Sequence, residues 1–167
     1  ARRTASRERR AVTGDVAFFF YGTLQRAFDS AMTRRLAGKL RFEGDARVRG
    51  RLYALGEPSG CYPGLVLDPA AGWVHGGVYA PTPDFRVEDL AALDAWEDVC
   101  GEGPQAGEYV RTTTRAVTLT GERAVQLYVC ARAPAGGAPL IVDGRFDAWL
   151  VARGWAAWPG LSVSPPS

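Results

Sequence analysis

A chain of 167 residues with 47% hydrophobic and 23% charged content is long enough for one domain with a real core, and its composition is ordinary for a soluble globular protein. The net charge of +2 is unevenly placed: residues 1 to 10 hold five arginines against Glu8, leaving 15 basic and 17 acidic side chains elsewhere. By charge the body of the chain is therefore not a nucleic-acid binder.

Cys61, Cys100 and Cys130 are widely spaced, and His75 is the only histidine. That pattern fits neither a disulfide framework nor a metal site, and it leaves a histidine-based triad without a partner set. No metal and no organic cofactor is expected. The one lysine, Lys39, is a weak basis for Schiff-base chemistry. Residues 1–14 read as a disordered basic arm and 15–160 as a single domain. With no secretory pattern and no apolar run of spanning length, the expected location is the cytoplasm.

The first element is the run Val16-Ala17-Phe18-Phe19-Phe20-Tyr21, which ends at Gly22. A short, uncharged, aromatic-rich run of this kind predicts a strand buried on both faces. Gly22 is expected to supply backbone angles closed to other residues, so that the chain turns and presents bare N–H groups. Asp29-Ser30 predicts the cap of a short helix, Ala31 to Ala37, with Gly38 as its stop. Ala46 to Leu55 reads as a strand bent or bulged at its internal glycine. Pro63-Gly64 reads as a turn before a brief strand, Leu65 to Leu67. Trp73 to Ala80 is a further strand, in which Gly76-Gly77 marks a close backbone approach or a bulge and His75 is structural.

Phe85 to Asp98, capped by Asp84, is the clearest helix. Leu90, Leu93 and Glu97 share one stripe, whereas Glu88 and Asp98 fall off it and are expected in solvent. Glu97 is then either an edge residue reaching for water or a buried acid with chemistry to perform. Cys100 to Glu108 is a glycine-rich loop. Tyr109 to Leu119 and Ala124 to Cys130 form a predicted hairpin about Thr120-Gly121-Glu122, with Tyr109, Arg111 and Thr113 on one face of the first arm and Gln126 and Tyr128 together on the second. Asp143 caps a last helix, Arg145 to Arg153, that buries Phe146, Trp149 and Leu150. The tail beyond it is expected to fray.

Three of these pieces, in order, resemble the γ-glutamylcyclotransferase-like (AIG2-like) family: Phe20-Tyr21-Gly22-Thr23-Leu24, Leu93-Asp94-Ala95-Trp96-Glu97-Asp98 and Tyr109-Val110-Arg111. The resemblance implies an α+β fold, a small, mostly antiparallel β-barrel of about five to seven strands flanked by a few helices. It implies that Tyr21, Gly22, Thr23 and Leu24 hold substrate, that Glu97 is the catalytic acid/base, and that Tyr109 and Tyr128 line the pocket. Arg111 is expected in a structural ion pair. The implied reaction releases 5-oxoproline from a small-molecule γ-glutamyl amine or amide, by attack of the substrate's own α-amine. Twelve positions separate Glu97 from Tyr109, more than the family's usual handful, and the inserted loop is a candidate lid. The alternatives are a binding module that keeps the pocket without turnover, and a nucleic-acid-associated protein acting through the basic arm.

Overall fold

A computed structural model describes residues 16–99 and 107–159. The basic arm, most of the Cys100–Glu108 loop and the end of the tail lie outside the described residues, and with them the expectations of a disordered arm and of a lid. The elements in chain order are β1 (Ala17–Phe20), α1 (Ala31–Leu36), β2 (Leu40–Glu57), β3 (Gly60–Leu67), β4 (Trp73–Pro81), α2 (Val87–Trp96), β5 (Tyr109–Thr118), β6 (Gly121–Cys130) and α3 (Phe146–Arg153). Strand order β3-β2-β4-β1-β6-β5, with β5 returning to β2 through Ala46↔Thr118, closes five strands into a barrel and leaves β3 as an outer sixth. Among the pairings of these described strands, β1–β6 alone is parallel. This is the expected small α+β barrel, in which closure pairs the five barrel strands and leaves β3 as the edge strand. Among the described residues, no helix is long and apolar enough to cross a membrane.

β1 is buried along its whole length, none of its residues more than 3% exposed. Its alternate side chains feed two cores. Ala17 and Phe19 pack with Val48, Leu52, Val125 and Leu127, while Phe18 and Phe20 pack beneath α1 and α2 with Met32, Leu36, Phe85 and Leu93. A strand with a core on each side has no face for polar residues, which is why the run is continuously apolar. In α1, Ser30 takes the Thr33 N–H and Thr33 returns the bond, and Gly38 follows at φ +76°.

Several boundaries differ from the sequence reading. β2 extends back to Leu40, and its register shift falls between Phe42 and Gly44, not at the glycine within Ala46–Leu55. That glycine, Gly50, is required by crowding, since a Cβ there would stand 2.7 Å from both Leu65 Cδ1 and the Val66 carbonyl oxygen. Pro63-Gly64 is no turn: both residues lie inside β3, opposite Ala54 and Tyr53. β3 is an edge strand, the place in a sheet where a proline's missing N–H is tolerated. Gly76 does mark a close approach, because a Cβ there would meet the Phe20 carbonyl oxygen at 2.2 Å.

α2 starts at Val87, and Asp89 rather than Asp84 takes the Arg86 N–H, at 2.9 Å. Asp89 is 1% exposed and also accepts from Lys39 at 2.8 Å and Arg35 at 3.3 Å, pinning α2 to α1 and the segment after it. Asp143 accepts the Arg145 N–H, and α3 follows one residue later, burying Phe146, Trp149 and Leu150 as expected. The start of the tail does not fray. Ala156 and Trp158 donate to Pro58 and Cys61, and Cys61 donates back to Ala156, so the segment is laced to β3.

Candidate active site

The chain leaves β1 at Phe20 and enters the turn Tyr21 to Leu24 at the barrel's wall. Gly22 is not in the left-handed region, so the angles expected of it are not its reason. A Cβ at Gly22 would lie 2.4 Å from Pro63 Cγ. The turn can press against β3 only without a side chain there. The Gly22 carbonyl is taken by the Gln25 backbone and side-chain N–H groups. Among the described residues, no acceptor takes the N–H groups of Gly22, Thr23 or Leu24. Three unspent amides in a turn are a ready donor set for an anion or a developing oxyanion.

Facing this turn is the end of α2. Glu97 occupies the C-cap at φ −85° and ψ 8°, and its N–H still bonds Leu93. Asp98 follows at φ +53°, the one non-glycine in the left-handed region among the described residues, and the Val99 N–H closes back onto the Asp94 carbonyl. This left-handed step ends the helix and leaves the Glu97 side chain on the cavity wall, its carboxyl packed round by protein. Asp98 is exposed, as expected, and its carboxylate accepts the Glu108 N–H.

A cavity of about 400 Å³ lies between the two, a volume suited to a small metabolite. Tyr21, Gly22, Thr23, Leu24, Glu97, Tyr109 and Tyr128, all singled out in the sequence, line it together. The sequence reading missed Tyr62, Pro63, Trp96, Asp98, Glu108 and Trp158, which line the same cavity. Two tryptophans in the tail, Trp155 and Trp158, were the available signal, since large aromatics are rarely left in a frayed segment.

The tyrosine hydroxyl protons are spent inside the wall. Tyr21 donates to the Tyr128 carbonyl, Tyr109 to the Pro63 carbonyl, Tyr128 to Asp94 Oδ1 and Tyr62 to Glu108 Oε1, each at 2.6 Å. Burial, first of all, pushes these phenols above their ordinary values, so none supplies a phenolate. Arg111 forms its ion pair with Asp94, Nε to Oδ1 at 2.9 Å, and also holds Gln126 Oε1 at 2.8 Å. The polar hairpin face thus clamps α2 one turn before Glu97.

Glu97 is different. No donor among the described residues meets its carboxyl, and burial, with the Glu108 charge adding to it, raises the group to about 8. At neutral pH such a carboxyl passes readily between acid and base forms. The described cysteines offer no competing nucleophile: burial raises the Cys61 thiol, and burial with the Glu108 charge pushes Cys130 up to about 11. Lys39 is paired with Asp89, and His75, its pKa lowered by burial and by Arg145 and Arg47, is not among the cavity's lining residues. No grouping of three or more His, Cys, Asp or Glu with metal-holding geometry occurs among the described residues.

The family model described as "Gamma-glutamyl cyclotransferase, AIG2-like" matches residues 18–148. Among solved structures, an AIG2-like protein from Mus musculus is 21% identical at a TM-score of 0.59, covering 80% of this chain and 88% of its own. An uncharacterised protein from Pyrococcus horikoshii is 18% identical at a TM-score of 0.57, covering 84% and 97%. YkqA from Bacillus subtilis is 20% identical at 0.58, covering 84% of this chain but 43% of its own. These likenesses bear on the fold. No curated protein matches the sequence significantly.

Proposed function

The chain belongs to the gamma-glutamyl cyclotransferase, AIG2-like family, and we propose that it releases 5-oxoproline from a γ-glutamyl amine or amide, with Glu97 as general base and then general acid. The observation that carries this reading is a single carboxyl, raised to about 8, standing on the cavity wall opposite a turn of unspent amides. The reaction asks the protein for no nucleophile, and the described residues around the cavity supply none in an activated form. It asks for a proton shuttle and for oxyanion donors.

In the proposed sequence, the ionised Glu97 takes a proton from the substrate's α-ammonium. The freed amine attacks the γ-carbonyl carbon, forming the ring C–N bond and moving the carbonyl pair onto oxygen. The Gly22–Leu24 amides stabilise that oxygen or hold the substrate's α-carboxylate. Glu97 returns the proton to the leaving nitrogen and the γ-amide C–N bond breaks. Over a turnover the ammonium gives up two protons and the departing amine gains two, so the carboxyl ends as it began. The hydroxyls of Tyr21 and Tyr109, already committed to backbone carbonyls, serve as fixed wall. The test is release of 5-oxoproline from a panel of γ-glutamyl amines by wild type and Glu97→Gln. Turnover in both alike overturns the assignment, as does a bound γ-glutamyl compound that is never converted, the behaviour of a binding module.

A further inference from the structure

A second cavity, of about 390 Å³, shares Phe20 and Leu24 with the first, so the turn that follows β1 stands between two cavities. With Leu36 of α1, Leu40 and Tyr79, these two side chains give the second cavity a largely apolar lining. The segment after Leu24 closes it. The Gln25 N–H bonds the Gly22 carbonyl and the Phe28 N–H the Gln25 carbonyl, so this segment is two turns in succession. A bond ties it across to β4, where the Tyr79 hydroxyl oxygen accepts the Arg26 N–H at 2.9 Å.

The two cavities are opposite in charge. The described lining of the first holds Glu97, Asp98 and Glu108 and no arginine, lysine or histidine. The charged groups lining the second are Arg26, Arg34 and Asp29. Arg34 and Asp29 meet each other at 2.7 Å, and Arg26 has no ion pair among the described residues. Its guanidinium stacks on the Phe42 ring instead, 3.8 Å from the centroid. Stacking occupies a face of the guanidinium and leaves its N–H edge for an acceptor.

Tyr79 supplies a second donor. It is 6% exposed and packs against Phe20 and Phe42, with ring centroids 5.1 and 5.3 Å away. Its hydroxyl oxygen accepts from Arg26, but among the described residues no acceptor takes its proton. Burial, first of all, raises this phenol, with Arg26 pulling the other way, so at neutral pH the proton is there to donate. A buried O–H is rarely left without an acceptor.

We propose that this second cavity binds an apolar monocarboxylate, such as a medium-chain or phenyl-substituted alkanoic acid. Its carboxylate meets the Arg26 guanidinium and the Tyr79 hydroxyl, and its body lies on Phe20, Leu24 and Leu36. One anionic group answers both donors, and a hydrocarbon body answers the lining. The two cavities have no polar side chain in common, so binding here does not depend on the chemistry at Glu97.

The probes are 4-phenylbutanoate and its uncharged isostere 4-phenylbutanamide, titrated calorimetrically into the full chain. The acid should bind at least about tenfold more tightly than the amide, the usual worth of a charge-assisted hydrogen bond. Arg26→Met, which keeps an apolar stem over Phe42, should remove that preference, and Tyr79→Phe should weaken the acid about three- to tenfold. Ala27→Trp, at the rim, should fill the cavity and abolish binding of both probes. Arg26 and Ala27 are exposed, so these two variants leave the core intact, and melting curves check that all three are folded. Equal affinity for acid and amide, or a preference that survives Arg26→Met, overturns the site. So does acid binding that Ala27→Trp leaves unchanged and a γ-glutamyl amide displaces, which puts the acid in the first cavity. Absence of binding at millimolar acid overturns it as well.

Discussion

Tyr128 on β6 donates its hydroxyl to Asp94 on α2 across 2.6 Å, and Arg111 on β5 reaches the same carboxylate oxygen at 2.9 Å. Three residues later on the same helix, Glu97 has no donor among the described residues. Two acids a turn apart therefore live by opposite rules. One is spent on holding the helix against the barrel, and the other is left unspent at the cavity.

Glu97→Gln should cost at least about two orders of magnitude in 5-oxoproline release, the usual worth of a general acid/base. It should also stabilise the fold at high pH. The carboxyl's folded value of about 8 lies above its unfolded value, so wild type is favoured while the group is protonated and loses stability as pH rises between the two. Melting curves at pH 3, below the unfolded carboxyl value, should superpose for wild type and variant, and at pH 9 the variant should melt higher. Equal melting temperatures at pH 9 would show that Glu97 ionises without penalty.

For wild type, kcat/KM should rise with pH through a limb near 8, where Glu97 becomes the base form. Glu108 is the second contributor to that raised value, so Glu108→Gln should move the limb to lower pH. A limb that stays in place would remove Glu108 from the electrostatics of Glu97.

Gly22→Ala should destabilise by about 1–3 kcal/mol, because its Cβ must displace the Pro63 ring that stands at 2.4 Å. Pro63→Ala should cost less on its own and recover part of the loss in the double variant. Additive effects in a denaturant-melt cycle would mean that the turn does not rest on β3.

Tyr128→Phe removes the hydrogen bond to Asp94, Asp94→Asn removes the charge that Tyr128 and Arg111 both meet, and each should cost about 1–3 kcal/mol. Because both weaken the Tyr128–Asp94 contact, the double variant should cost less than the sum, with a coupling of about 0.5–3 kcal/mol.

Asp89 adds a dependence at the acid end. Burial opposes its charge, but the Lys39 and Arg86 hydrogen bonds, the Lys39 charge and Arg35 outweigh that and hold it below the usual carboxylate range. Its stabilising effect is present above the unfolded carboxylate value and is lost as pH falls through the folded one. Asp89→Asn should therefore lower the melting temperature at pH 7 and close the gap to wild type near pH 2.

The sequence alone determined what is local. A charge-free aromatic run had to be a strand with a core on both sides, and β1 is one. Periodicity put Glu97 on the stripe of Leu90 and Leu93 at a helix end, and alternation put Arg111 and Tyr128 on one hairpin face, which the register pairs directly. Distant contacts decided the rest. Whether Glu97 was an edge residue or a buried acid depended on what the fold packs round the end of α2. Whether Gly22 served angle or space depended on Pro63, some forty residues on, itself in a strand that local turn signals concealed. Trp158 reaches the cavity only because its segment laces to β3. Faces and ends are set by neighbours in sequence, whereas the environment of a charge is set by whatever the closed barrel brings against it. So the turn after β1 and the acid of α2 were both legible, but that they share one cavity was decided by the tertiary structure.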